Sequence, residues 1–117
     1  MTVNDFLNDA TAPVVGMDQD GSVFFLNDAF EAAYGWTKED LLGKSMTAII
    51  PANMRDVHQI GFSRFLQTGT PTLMGKPLHL PILRKDGRIL SAVHLIIADK
   101  IDDRWRFVAK ITLERPA

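Results

Sequence analysis

Apolar and polar positions recur along this chain with two periods, and the switch between them outlines its elements. Over 3–10, Val3, Phe6, Leu7 and Ala10 repeat at helical spacing with Asn and Asp between them. That spacing predicts a short amphipathic helix ending before Pro13. Val14-Val15-Gly16-Met17 and Val23-Phe24-Phe25-Leu26 read as two strands, and Asp20-Gly21 between them favours a tight hairpin. Asn27 or Asp28 caps a helix over 29–34, which Gly35 stops. Thr37-Lys38-Glu39-Asp40 places a carboxylate three residues after a hydroxyl, a capping box opening a short helix that ends at Gly43. An apolar turn over 46–50 closes at Pro51. The longest helical stretch covers 54–67, with Met54, Val57, Phe62, Phe65 and Leu66 as its stripe, and ends at Thr68-Gly69.

Beyond Gly69 the pattern becomes extended. The segment 73–83 alternates in its second half, with Leu78, Leu80 and Ile82 on one face and Pro77 and Pro81 in the opposite phase. Proline cannot donate to a ladder, so this strand belongs at an edge or carries a bulge. Lys85-Asp86-Gly87-Arg88 is a second Asp-Gly turn leading into a strand over 89–98, and Ile101-Asp102-Asp103 makes the last turn. Trp105, Phe107, Ala109, Ile111 and Leu113 then alternate with mostly polar neighbours. Strands on both sides of a helical middle indicate an α+β fold, one antiparallel sheet with helices on one face. A cavity between the two layers is the natural place for a ligand.

Composition narrows the class. With 117 residues, 46% hydrophobic and 23% charged, the chain suits one globular domain and excludes a disordered tail, a collagen-like fibre and a coiled coil. A net charge of −1 gives no basic excess for phosphate binding, so no direct nucleic-acid partner is expected. No apolar run reaches the ~20 residues of a membrane span, and Met1-Thr2-Val3-Asn4-Asp5 has no signal-like start. A cytoplasmic location without membrane contact is the expectation. Cysteine is absent, which excludes disulfides, thiolate metal sites, iron–sulfur clusters and cysteinyl adducts.

The order and spacing of several short pieces resemble a known family. These are Asp18-Gln19-Asp20-Gly21-Ser22-Val23, then Asn27, Ala29 and Phe30, Tyr34-Gly35-Trp36-Thr37 and Asp40-Leu41-Leu42-Gly43-Lys44. Pro51, Arg55, His58, Phe62, Arg64, Thr68-Gly69 and Lys85-Asp86-Gly87 follow. Together they resemble a PAS domain from about Phe6 to Leu113. The resemblance implies a five-stranded antiparallel sheet, short helices and one longer helix packed on one face. It divides 1–117 into an N-terminal cap helix over 1–12 and a PAS core over 13–114. Such domains serve sensing or protein interaction, commonly in bacterial regulators such as histidine kinases, and catalyse nothing. An output domain or partner protein would receive the signal, and Met1 suggests an N-terminal sensor unit. In the family the N-terminal helix often packs against a second copy, which would make Val3, Phe6 and Leu7 a homodimer contact. The competing expectation is that this strip folds back on its own sheet.

Candidate chemistry centres on His58. On a helix, positions 54, 58 and 62 share a side, so His58 lies between Met54 and Phe62. The segment 55–65 resembles the helix carrying the proximal histidine of haem PAS sensors, with Arg64 at a basic position of that motif. This makes His58 a candidate ligand to the iron of haem b. The match does not extend to the next strand, where Lys76 and Leu78 occupy positions those sensors give to arginine or methionine. A structural histidine is the plainer reading. Met54, His58, Phe62, Arg64, Phe65, Leu78 and Leu80 form the candidate cofactor-binding set. Noncovalent flavin remains open, with Trp36, Phe62 and Phe65 as candidate walls, and the carboxylate of a small organic acid or lipid could pair with Arg55, Arg64 or Lys76. His79 falls on the solvent phase, and His94 shares a face with Leu90, Ala92 and Ile96 that is either inner or outer. No nucleophile elbow or phosphate loop occurs, and a non-enzyme is expected. Three readings follow: a sensory module for a small ligand or partner, a haem-based gas or redox sensor, and a ligand-free dimerisation adaptor.

Overall fold

The computed structural model describes residues 1–68 and 75–114. Its strands are β1 (Val14–Asp18), β2 (Val23–Leu26), β3 (Leu78–Leu83), β4 (Ile89–Ile101) and β5 (Arg104–Leu113). They form one five-stranded antiparallel sheet in the order β2-β1-β5-β4-β3. The helices are α1 (Val3–Leu7), α2 (Asp28–Tyr34), α3 (Lys38–Leu41) and α4 (Arg55–Thr68), with 3₁₀ turns at Met46–Ile49 and Ala52–Met54. The α+β class and the PAS-like sheet expected from the sequence are both present.

Local chemistry explains the element ends. Thr2 and Asp5 exchange hydrogen bonds as a capping box on α1, and Thr37 and Asp40 do the same on α3. Gly35 ends α2 with φ of 79°, a conformation that costs glycine little. The last hairpin turns through Asp102 and Asp103, both at positive φ, and aspartate tolerates that region better than most residues. β4 therefore runs three residues past the expected 89–98, to Ile101. The proline-bearing strand β3 does lie at an edge, with Pro81 opposite Ser91. Positions 73–74 of the expected strand lie outside the described residues.

The sheet is apolar on both faces, and each face has its own cover. On the inner face Phe107, Ile111, Ile82 and Ala92 meet Phe30, Tyr34, Leu41 and Ile49 from the helical layer. The fully buried Tyr34 hydroxyl donates to the Ile111 carbonyl at 2.6 Å, tying α2 to β5. Asn27 pins the hairpin to the N-terminal segment. Its Oδ1 accepts from the amides of Val14 and Phe30, and its Nδ2 donates to the carbonyls of Asp9 and Ala12.

On the outer face α1 packs against the chain's own sheet, the second of the two placements expected for its apolar strip. Val3 and Phe6 are only 2% and 1% exposed, buried with Val14 and Val108, while Leu7 keeps partial exposure. A five-residue helix buries its apolar strip on the nearest apolar surface, and β1, β5 and β4 supply it. α1 is also shorter than the expected 3–10. After Asn8, the Asp9 carboxylate accepts from the amides of Thr11 and Ala12 and turns the chain toward β1. Lys110 holds Asp9 at 2.9 Å and depresses its pKa, closing the segment onto β5.

Candidate functional site

Between α4 and the inner face of the sheet lies a cavity of about 600 Å³. From the helical side Met54, His58, Phe62, Arg64 and Phe65 line it, and Leu78 and Leu80 of β3 line it from the sheet. These are the residues expected from the sequence to meet a cofactor, brought around one space. Met17, Met46 and Ala109, which sequence reasoning did not single out, also contribute. β5 signals Ala109 through its alternation, but nothing in the sequence says that this small residue leaves room beneath the helix.

The stripe of α4 that faces the cavity is narrower than its apolar positions suggest. His58, Phe62 and Phe65 turn inward, whereas Val57 is 63% exposed despite touching the rim. One residue step rotates a side chain by about 100°, which carries Val57 away from His58 toward solvent. Phe62 and Phe65 pack edge-on against Phe107 at 5.3 and 5.1 Å, and Phe65 also meets Trp105 at 4.8 Å. Those contacts hold one stretch of α4 on β5 and leave the rest of its inner side facing the cavity.

The polar lining is sparse. His58 stacks on Phe62 with ring centroids 6.3 Å apart, and burial lowers its pKa. Its Nδ1 is buried with no hydrogen-bond partner. His94 lies on the inner face, opposite Leu78, and its Nε2 is 3.2 Å from the Leu80 carbonyl. Burial lowers the His94 pKa too, and the contact with Leu80 opposes that shift. Arg64 is the one charged side chain among the described lining residues. His79 points outward and pairs with Glu114 at 2.9 Å.

Other expected groups lie elsewhere. Trp36 donates its Nε1–H to the Leu83 carbonyl at 2.9 Å and is not among the lining residues, so only Phe62 and Phe65 of the proposed flavin walls face the cavity. Arg55 spends its Nε–H on the carbonyls of Thr47 and Ile50, and Lys76 is exposed away from the lining. Among the described residues no cluster of three or more His, Cys, Asp or Glu could hold a metal ion. Haem fits the donor set poorly. An iron-ligating histidine normally donates its second ring N–H to an acceptor, and His58 Nδ1 has none.

A family model of the PAS fold matches residues 3–95. The chain belongs to the PAS family. Solved PAS domains share its architecture. That of a Desulfitobacterium hafniense protein superposes with a TM-score of 0.73 at 18% identity, covering 93% of this chain and 98% of that one. The PAS domain of an HTR-like protein from Haloarcula marismortui gives 0.68 at 21% identity, with 92% and 84% covered. One from a two-component sensor histidine kinase gives 0.71 at 14% identity, with 92% and 88% covered. An uncharacterized protein of Azorhizobium caulinodans is 39% identical over 80 residues, 68% of this PAS chain but 11% of that protein. This PAS domain thus corresponds to a small part of that relative. No helix among its described residues is long and apolar enough to cross a membrane.

Proposed function

We propose that this PAS domain is a non-catalytic sensory module whose cavity beneath α4 takes a small, largely apolar ligand. The observation that carries the reading is the cavity of about 600 Å³, within the usual size of small-molecule sites and lined almost wholly by apolar side chains. An occupied and an empty cavity favour different packings of α4, because the same Phe62 and Phe65 contacts that seat the helix border the ligand space. β5 carries the difference across the sheet. Its Phe107 faces α4, while the adjacent Val108 packs under α1 on the opposite face. The terminal segments then pass the change to an output domain or partner protein. One structural neighbour is a PAS domain from a two-component sensor histidine kinase.

Thermal-shift screening of the purified domain against a metabolite panel tests this reading, with Ala109→Trp as the cavity-filled control. A true cavity ligand at a hundred times its Kd stabilises by about 2.7 kcal/mol. Compounds that raise the midpoint of the wild type and leave Ala109→Trp unmoved support the proposal. A panel in which every hit acts equally on both proteins contradicts it.

A further inference from the structure

We infer that His58 presents an Nε2–H donor to the cavity, and that the ligand is an uncharged apolar molecule bearing a hydrogen-bond acceptor such as a ketone carbonyl. This rests on the cavity being a ligand site and names the chemistry it selects. A neutral imidazole carries one proton, on either nitrogen. Nδ1 of His58 is sealed by protein with no acceptor in reach. A proton placed there is a buried, unsatisfied donor, which costs more than leaving a bare lone pair in the same apolar surroundings. The proton therefore resides on Nε2, the nitrogen that is not sealed, on a residue that lines the cavity.

His94 takes the complementary role. A carbonyl only accepts, so the 3.2 Å contact with Leu80 uses the His94 Nε2 proton within the protein and leaves that ring nothing to donate. His58 is then the imidazole donor open to a ligand. Burial keeps both rings neutral, and neither offers counter-charge to an anion. The remaining lining, apart from Arg64, is apolar, which favours an uncharged body. The same tautomer argues against iron, since a metal needs the Nε2 lone pair and would drive the proton onto the sealed Nδ1.

Two measurements test this. Long-range proton–nitrogen correlation on ¹⁵N-histidine-labelled wild type at pH 8 reads the tautomer without any ligand, with His58→Gln for assignment. A proton on Nε2 of His58 is expected, and a proton on Nδ1 overturns the inference. Titrations with 2-acetylnaphthalene, 2-ethylnaphthalene and 2-naphthoate then vary the head group on one ring system. The ketone should bind about threefold to tenfold tighter than the hydrocarbon, as one hydrogen bond provides. That preference should vanish in His58→Phe and survive in His58→Gln, which keeps an N–H donor. Equal binding of ketone and hydrocarbon, or naphthoate binding tightest, overturns the ligand class. Titrations silent for all three compounds overturn it as well, and together with a proton on Nε2 they locate the failure in the ligand-site reading.

Discussion

Replacing His58 by leucine should make the unliganded domain more stable. The imidazole occupies the inner side of α4 with Nδ1 buried and unpartnered. An unsatisfied buried polar atom typically costs about 1–3 kcal/mol. Leucine has nearly the same volume, removes that atom, and is the better helix former by a few tenths of a kcal/mol. The expected gain is about 1–3 kcal/mol, and for a domain of this size each kcal/mol moves the thermal midpoint by roughly 4 °C. Urea unfolding at pH 8 keeps both cavity imidazoles neutral and isolates the packing effect. His58→Leu should shift the urea midpoint upward at unchanged slope. A loss of 1 kcal/mol or more would refute the reasoning, because it would mean that Nδ1 has a partner whose removal leaves another group unsatisfied.

Other consequences follow from the same contacts. The pKa values of His58 and His94 are lowered by burial from an ordinary 6.5, so the unfolded chain takes up protons first as pH falls. Their contribution to stability is complete above pH 6.5 and is lost as pH drops from there through the folded pKa values. Unfolding free energies at pH 7.5, 6.5 and 5.5 should fall in that order, with a shallower decline in His58→Leu; an equal decline in both proteins would contradict the assignment. Asn27→Asp keeps the acceptor for Val14 and Phe30 but removes the donors to Asp9 and Ala12. It should lose about 2–4 kcal/mol in urea unfolding, and a neutral result would show that the pin is dispensable. Tyr34→Phe deletes the hydrogen bond to Ile111 and should cost about 1–2 kcal/mol. Spectrophotometric titration should find the wild-type phenol ionising only near its raised pKa of about 12, where burial has pushed it.

Much of this architecture can be read from residue patterns alone, because local rules and tertiary packing agree. The capping box at Thr37 and the strand alternation ending at Leu113 reappear as elements. Prolines in the opposite phase from Leu78, Leu80 and Ile82 correctly mark the edge strand. What pattern could not decide was which of two available surfaces covers an apolar strip. Val3 and Phe6 could meet a second copy or the same sheet, and in the folded chain they join the outer-face cluster with Val14 and Val108. His94 posed the same ambiguity, since period-two alternation distinguishes two faces without naming the inner one. Val57 shows the limit of stripe reading, because an apolar residue one step from the inward line is still largely exposed. The sealed Nδ1 of His58 has no sequence signature at all. It arises only from the packing around that atom in the folded chain.

The cavity itself can be probed through its methionines. Met17, Met46 and Met54 line it, while Met1 is exposed at the chain start. In ¹³C-methyl-methionine spectra, adding 2-acetylnaphthalene to saturation should shift the Met17, Met46 and Met54 methyl signals and leave Met1 in place. Signals that stay fixed at all three cavity positions, or that move only at Met1, would contradict a ligand site beneath α4.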